Sequence, residues 1–200
     1  MTEAVKIAQQ YYDDTETDRM YAAIWGGEHI HDGIYTQPDE AIHYASLRTL
    51  ETIAQTLEKI DQNSRVIDLG AGYGGAARYL AKTYGCSVCC LNLSQLQNQR
   101  NSQLNQEQNL SHLVEVTQGS FEDIPYADNS FDIVWSQDAI VHSGDRCLVF
   151  PEIKKILKPG GELIFTDPMQ SEICPQEHCN LLLTVWELVI LGLICFTVKQ

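Results

Sequence analysis

Val66-Ile67-Asp68-Leu69-Gly70-Ala71-Gly72-Tyr73-Gly74-Gly75 is an apolar run that breaks into alternating glycines. With Arg65 in front, RVIDL reads as a short β-strand that ends in a glycine-rich turn. Glycines at 70, 72 and 74 let the backbone turn sharply and approach a ligand with no Cβ in the way. Residues 75–84 read as a helix whose N-terminus offers free N–H groups and the positive end of its dipole. A ligand carboxylate suits that end.

The texture on either side fixes the class. Downstream, SVCCLNL, HLVEVTQ, FDIVWSQ and GELIFTD read as four further strands. Ser94 is the expected N-cap of a polar helix running to about Asn109. Residues 145–157 read as the helix before the last strand, ended by Lys158-Pro159-Gly160-Gly161. Five strands with intervening helices imply an α/β fold with a doubly wound, parallel, Rossmann-like sheet, which binds ligands at the carboxyl ends of its strands. Upstream, Ala4, Ile7, Ala8 and Tyr11 have helical spacing over residues 3–12. A loop containing WGGEHIHDGIY follows. Pro38 is expected to open a longer helix with Ile42, Ala45, Leu50, Ile53, Leu57 and Ile60 on one face.

The whole chain has 200 residues, which suits one domain, and its hydrophobic content of 44% can fill a core. A net charge of −14 opposes binding to nucleic acid or an anionic membrane. Cys86, Cys89 and Cys90 resemble a C-x₂-C pair, but no second pair follows at zinc-finger spacing, so they read as core thiols and no metal site is expected. Seven cysteines, an odd number, and an N-terminus without an apolar stretch point to the cytoplasm.

Gly70, Gly72 and Gly75 also satisfy G-x-G-x-x-G, so a dinucleotide has to be weighed. Three features turn the reading to S-adenosyl-L-methionine. Asp68 would repel a pyrophosphate and attract a cationic amino group. The motif lies behind a helical preface of roughly 60 residues, whereas a Rossmann fingerprint opens its βαβ unit. The second strand ends in Asn92 rather than the acid that holds a nicotinamide ribose. Asn92 is then the expected ribose partner. Gly119-Ser120-Phe121 follows the third strand, where adenine packs, with Phe121 equally readable as core. Trp135-Ser136-Gln137-Asp138 ends the fourth strand beside the methionine moiety, with Gln137 and Asp138 as site residues.

WGGEHIHDGIY, VIDLGAGYGGAARYLA, CLNLSQLQNQRNSQLNQEQ, GSFEDIPYADNSFDIVWSQDAIVHSG and LKPGGELIFTDPMQ together resemble the sarcosine/dimethylglycine N-methyltransferases over about residues 3–175. DLGAGYGG and KPGG are shared by many class I methyltransferases; LNLSQLQN, WSQDAIVHS and TDPMQ narrow the match. The tocopherol-type methyltransferases are similar around WGGEHIHDG and are the runner-up. The resemblance implies stepwise methylation of sarcosine to dimethylglycine and on to glycine betaine. It implies that Tyr21, Trp25, Leu93 and Gln97 join Asp68, Gly70, Gly72, Gly74, Asn92, Ser120, Phe121 and Gln137 at the cofactor. Transfer needs a neutral amine, and His142 and His31 are the candidates to take the proton of a protonated substrate. His142 reads equally as a structural loop histidine. Tyr21, Trp25, Tyr35 and Trp135 could offer aromatic faces to a cationic centre, with packing the role of at least one of them. The implied organisation is an N-terminal helical lid over 1–62, the cofactor-binding core over 63–175 and an aberrant tail over 176–200. The resemblance does not reveal the partner of the substrate carboxylate or the oligomeric state.

The tail departs from the family after Pro175. LLLTVWELVILGLICFTV, residues 181–198, carries Glu187 as its single charge. It reads as a membrane anchor of a non-catalytic binding protein, as a replacement core element, or as a frameshift product. Codon degeneracy favours the last. Read out of frame, Thr184 to Ile190 permits R-L-G-I-G-D, and the run to Gln200 permits L/F-G-S-I-x-F-Y-R-Q. The family carries a D-R-x-x-L-x-x-L-G-S-x-x-F-Y-R-Q-like stretch there. One slip near His178 is the expectation, with the last strands of the fold missing or replaced. An open sheet edge and exposed apolar surface would follow. Gene sequencing checks it, and finding no open frame for the family's C-terminal half at or beyond residue 180 ends the idea.

Overall fold

The computed structural model describes residues 2–26 and 28–168, and the backbone of 198–199. Three helices come first: α1 (Glu3–Tyr12), α2 (Thr15–Trp25) and α3 (Ile42–Ala54). An alternating series follows: β1 (Arg65–Leu69), α4 (Gly75–Tyr84), β2 (Ser87–Asn92), α5 (Gln95–Glu107), β3 (Val114–Gln118), β4 (Phe131–Gln137), α6 (Arg146–Ile156) and β5 (Leu157–Thr166). A two-residue strand, β6 (Val198–Lys199), closes the series. The sheet order is β3-β2-β1-β4-β5-β6. β1 to β5 run parallel and β6 runs antiparallel to β5. The order reverses between β1 and β4, which opens a crevice at their carboxyl ends.

Each face of the sheet has its own core. Val66, Cys90, Ile133, Trp135 and Ile164 face Leu50, Ile53, Ala77 and Leu80. Ile67, Leu69, Leu91, Phe131 and Val134 face Phe121, Val149, Ile153 and Ile156. The strands are therefore apolar on both sides, as a covered parallel sheet requires. Each fully buried Leu, Ile or Phe contributes about 1.5–3 kcal/mol. Cys86, Cys89 and Cys90 are buried free thiols within these cores.

α5 sits on the sheet by a different device. Its sequence, QLQNQRNSQLNQE, is almost wholly polar, yet Gln97, Asn98, Asn101 and Asn105 are buried. Arg78, itself 1% exposed, donates to the Asn101 and Asn105 side-chain oxygens at 3.2 Å each and pairs with Glu28 at 3.3 Å. Buried polar groups of this kind are tolerated because most of them are bonded to one another. Ser94 caps the helix as expected, its hydroxyl accepting from the Gln97 amide at 3.1 Å.

Three boundaries differ from the sequence reading. The sequence reading gives α2 no element of its own, because its exposed Met20 and Ile24 form no buried stripe and Asp18 is its buried residue. Its capping decides it: Asp14 accepts from the Glu16 and Thr17 amides at 3.0 and 2.8 Å, and Gly26 ends it in the left-handed region. α3 starts at Ile42, not Pro38, because Glu40 folds back to the Thr36 amide and to Arg48 in a separate turn. It stops at Ala54; Leu57 and Ile60 reach the core from the linker instead, which Glu162 holds by accepting from the Glu58 amide at 3.1 Å. Lys158-Pro159-Gly160-Gly161 does not precede β5. It lies inside β5 as an irregularity opposite Phe131–Ile133, with Gly160 at φ +76°.

Candidate functional site

A cavity opens at the carboxyl ends of β1, β2 and β4. Its floor comes from the glycine turn (Gly70, Gly72), the end of β2 (Asn92, Leu93, Ser94, Gln97), the loop after β3 (Gly119, Phe121) and the end of β4 (Gln137, Asp138, Ala139). His142 adds a wall from the 3-10 helix Ile140–His142, and Ala8, Tyr12, Ile30 and His31 come across from the N-terminal region.

The turn residues are dictated by crowding. Gly70 has φ +80°, and a Cβ there would fall on the Cβ of Ala139. Gly72, at φ +52°, faces Ile30, whose Cδ1 would lie 3.2 Å from an added Cβ. Gly74 is pressed against the Asn101 amide on α5 and does not line the cavity. α4 has no side-chain cap, and the Glu28 carbonyl lies over Gly75 at its start.

Gln137 is the most informative polar group. It is 2% exposed, it lines the cavity, and neither of its side-chain amide atoms has a partner among the described residues. An unpaired buried amide costs about 1–3 kcal/mol unless a ligand satisfies it. Asn92 donates from its side-chain nitrogen to Gln97 and Asn98 at 3.1 and 3.2 Å, which leaves its carbonyl oxygen as the acceptor for a ligand hydroxyl. Asp138 has a left-handed backbone, φ +53°, and its carboxylate accepts from the Thr166 hydroxyl at 2.8 Å and the Asp32 amide at 3.2 Å. It thus ties the ends of β4 and β5 to the segment carrying His31. Burial raises the Asp138 carboxyl, and that of Asp32 is raised by burial and by Asp138.

Of the residues expected at the site, Gly70, Gly72, Asn92, Leu93, Gln97, Phe121, Gln137, His31 and His142 meet around this cavity. Asp68, Gly74, Ser120, Tyr21 and Trp25 lie behind its wall. Asp68 is on β1 between Cys90 and Trp135, wholly buried, so burial pushes its carboxyl up to about 7, and Oδ2 has no partner among the described residues. Ser120 is turned to the Glu122 amide, accepting at 3.1 Å. Tyr21 packs on Tyr12 and Trp25, with ring centroids 6.1 and 5.3 Å apart. Trp25 donates its indole N–H to the His31 carbonyl at 3.1 Å, so both aromatic rings brace the wall from outside. Trp135 is core and Tyr35 is half exposed, so neither presents a face to the cavity.

His31 is fully buried, which pushes its imidazole down to about 4. Its backbone carbonyl accepts from Ser46 at 2.7 Å. His142 is also lowered by burial, and its Nε2 lies 3.0 Å from the Tyr12 hydroxyl. Both rings are therefore neutral near pH 7. Tyr12, Ala8 and Ile30 escaped the sequence reading. Tyr12 stands one position beside the Ala4–Tyr11 stripe, and no local pattern says that this helix crosses the end of a distant sheet.

Residues 67–165 match the family described as "Methyltransferase domain". They form a class I, Rossmann-like methyltransferase fold, and the chain belongs to that family. Within it, the chain is a relative of the sarcosine/dimethylglycine N-methyltransferases. It is 54% identical to the glycine/sarcosine/dimethylglycine N-methyltransferase of Actinopolyspora halophila, over 84% of this chain and 30% of that protein. It is 51% identical to the sarcosine/dimethylglycine N-methyltransferase of Halorhodospira halochloris, over 87% of this chain and 62% of that one. A crystal structure from Galdieria sulphuraria, provisionally assigned as a sarcosine dimethylglycine methyltransferase, superposes with a TM-score of 0.78 at 43% identity, covering 84% of this chain and 65% of that one. The chain thus spans less than two thirds of the length of these relatives.

Proposed function

We propose that this chain is the cofactor-binding part of an S-adenosyl-L-methionine-dependent N-methyltransferase that acts on sarcosine and dimethylglycine. The observation that carries the reading is the cavity at the sheet's switch point, in a chain 51–54% identical to such enzymes. The residues fit the cofactor. Gln137 brings a buried, unsatisfied amide, Gly72 brings backbone with no Cβ in the way, and Asn92 keeps one carbonyl acceptor. The Gly70–Gly72 turn and Gln137 would hold the methionine tail, Asn92 the ribose, and Leu93 with Phe121 the adenine. When bound, the cofactor supplies an electrophilic methyl group on a cationic sulfur.

The chain's own residues do the rest. Ala8 and Tyr12 of α1 and the Ile30–His31 segment line the cavity from the N-terminal side and would narrow the access of water to it. Placing the amine in line in such a site supplies much of the acceleration. A protonated amine must lose its proton first. Burial destabilises an ammonium, and it keeps His142 and His31 neutral and able to accept. Both rings line the cavity, His142 from the segment after β4 and His31 from the N-terminal region.

The test is methyl transfer to sarcosine and to dimethylglycine, measured for the chain alone and for the chain fused to the C-terminal portion of the Halorhodospira relative. The fusion is expected to methylate at least one amine. A folded, cofactor-binding fusion that methylates neither would sink the substrate assignment.

A further inference from the structure

α1 is pinned across the cavity at three places. At its start, Thr2 donates to Glu122 at 3.2 Å, and the same carboxylate accepts from Ser143 and the Gly144 amide at 2.9 Å each. At its end, the Ser94 hydroxyl is 3.0 Å from the Tyr12 carbonyl and 2.8 Å from the Asp13 carboxylate, and the Leu96 amide donates to that carboxylate at 3.3 Å. Between them, the Tyr12 side chain crosses to His142, with the rings edge to face at 5.6 Å.

One residue therefore joins both walls: the Tyr12 backbone is held at the end of β2, and its hydroxyl meets the imidazole after β4. We propose that Tyr12 is a positioning residue for His142, its hydroxyl donating to Nε2 and so fixing the ring and its proton while α1 is docked. The donor direction follows from the partners. A phenol in this aromatic cluster is desolvated and keeps its proton, Tyr12 being pushed up to about 12. A buried neutral imidazole has one nitrogen free to accept. Nδ1 then carries the remaining proton, which settles the tautomer. The charged and titratable groups around this pair are Tyr11 and Asp13 beside Tyr12 itself, His31 and Asp138 on the cavity wall, Tyr21 from α2, Asp167 through the Val141 amide, and Glu122 through Ser143.

The proposal adds a condition to the His142 assignment above, since Nε2 can take a substrate proton only when the Tyr12 hydroxyl turns from donating to accepting, but its test needs no substrate. The His142 ring is titrated by NMR in the 200-residue chain and in Tyr12→Phe, with His142→Gln used to assign the signal. Phe keeps the ring packing and removes the donor that favours neutral imidazole. The His142 midpoint is expected to rise by about half to one pH unit. An unchanged or lowered midpoint in folded protein overturns the proposal. A second readout uses the native chain: the Tyr12 ring resonances are expected to shift with the His142 midpoint. Tyr12 resonances indifferent to that midpoint overturn it without any variant. Failed methylation with these shifts present leaves Tyr12's role standing and removes only the substrate reading.

Discussion

Gly70 and Gln137 belong to the proposed cofactor site for different reasons, and substitutions separate them. Gly70→Ala forces a left-handed backbone on alanine and drives a Cβ into Ala139. It is expected to destabilise the chain by more than about 1 kcal/mol, checked by denaturant unfolding. Gln137→Leu removes the two unsatisfied amide atoms at similar volume. Replacing such a group by an apolar one is nearly neutral or stabilising in the free chain. It is expected to leave unfolding unchanged or improved and to weaken S-adenosylhomocysteine binding about tenfold, read by calorimetry. Weakened folding with unchanged binding would remove Gln137 from the site. Asp68 belongs to stability. Its carboxyl is raised to about 7, so the folded chain binds that proton more tightly than the unfolded chain. That stabilisation is full below the ordinary carboxyl range and is lost as pH rises through about 7. Asp68→Asn should therefore flatten the loss of stability between pH 5 and 8, by roughly a few kcal/mol at most. Thermal melts across that range check it.

At the scale of elements, β1, α4, β2, α5 and β4 were legible because their signals are local: apolar runs, a glycine turn, a Ser94 cap. The residues they bring to the cavity, from Gly70 to Gln137, were legible for the same reason. What escaped depends on contacts distant in sequence. α2 is defined by Asp14 and Gly26 rather than by a buried stripe. Asp14→Ala removes both cap bonds and is expected to lower the urea unfolding midpoint. The turn around Glu40 replaces the first turn predicted for α3, since Arg48 and the Thr36 amide outbid helix formation there. Sequence position puts Asp68 beside the ligand; in the sheet it pairs with Trp135 and is not among the residues lining the cavity, which local sequence does not tell.

At the scale of the molecule, a parallel sheet gathers distant loops onto one end, and α1 crosses that end. Among the described residues no helix is long and apolar enough to cross a membrane. The 181–197 part of the apolar run lies outside the described residues, and with it the expectations attached to that run. On the proposed reading the glycine turn of this chain binds S-adenosyl-L-methionine rather than a dinucleotide. Calorimetric titration with S-adenosylhomocysteine and, separately, with NAD separates the two. Saturable one-to-one binding of S-adenosylhomocysteine, weakened by Gln137→Leu, with no binding of NAD, is the predicted result. Saturable binding of NAD, or no binding of S-adenosylhomocysteine by the folded chain, would contradict it.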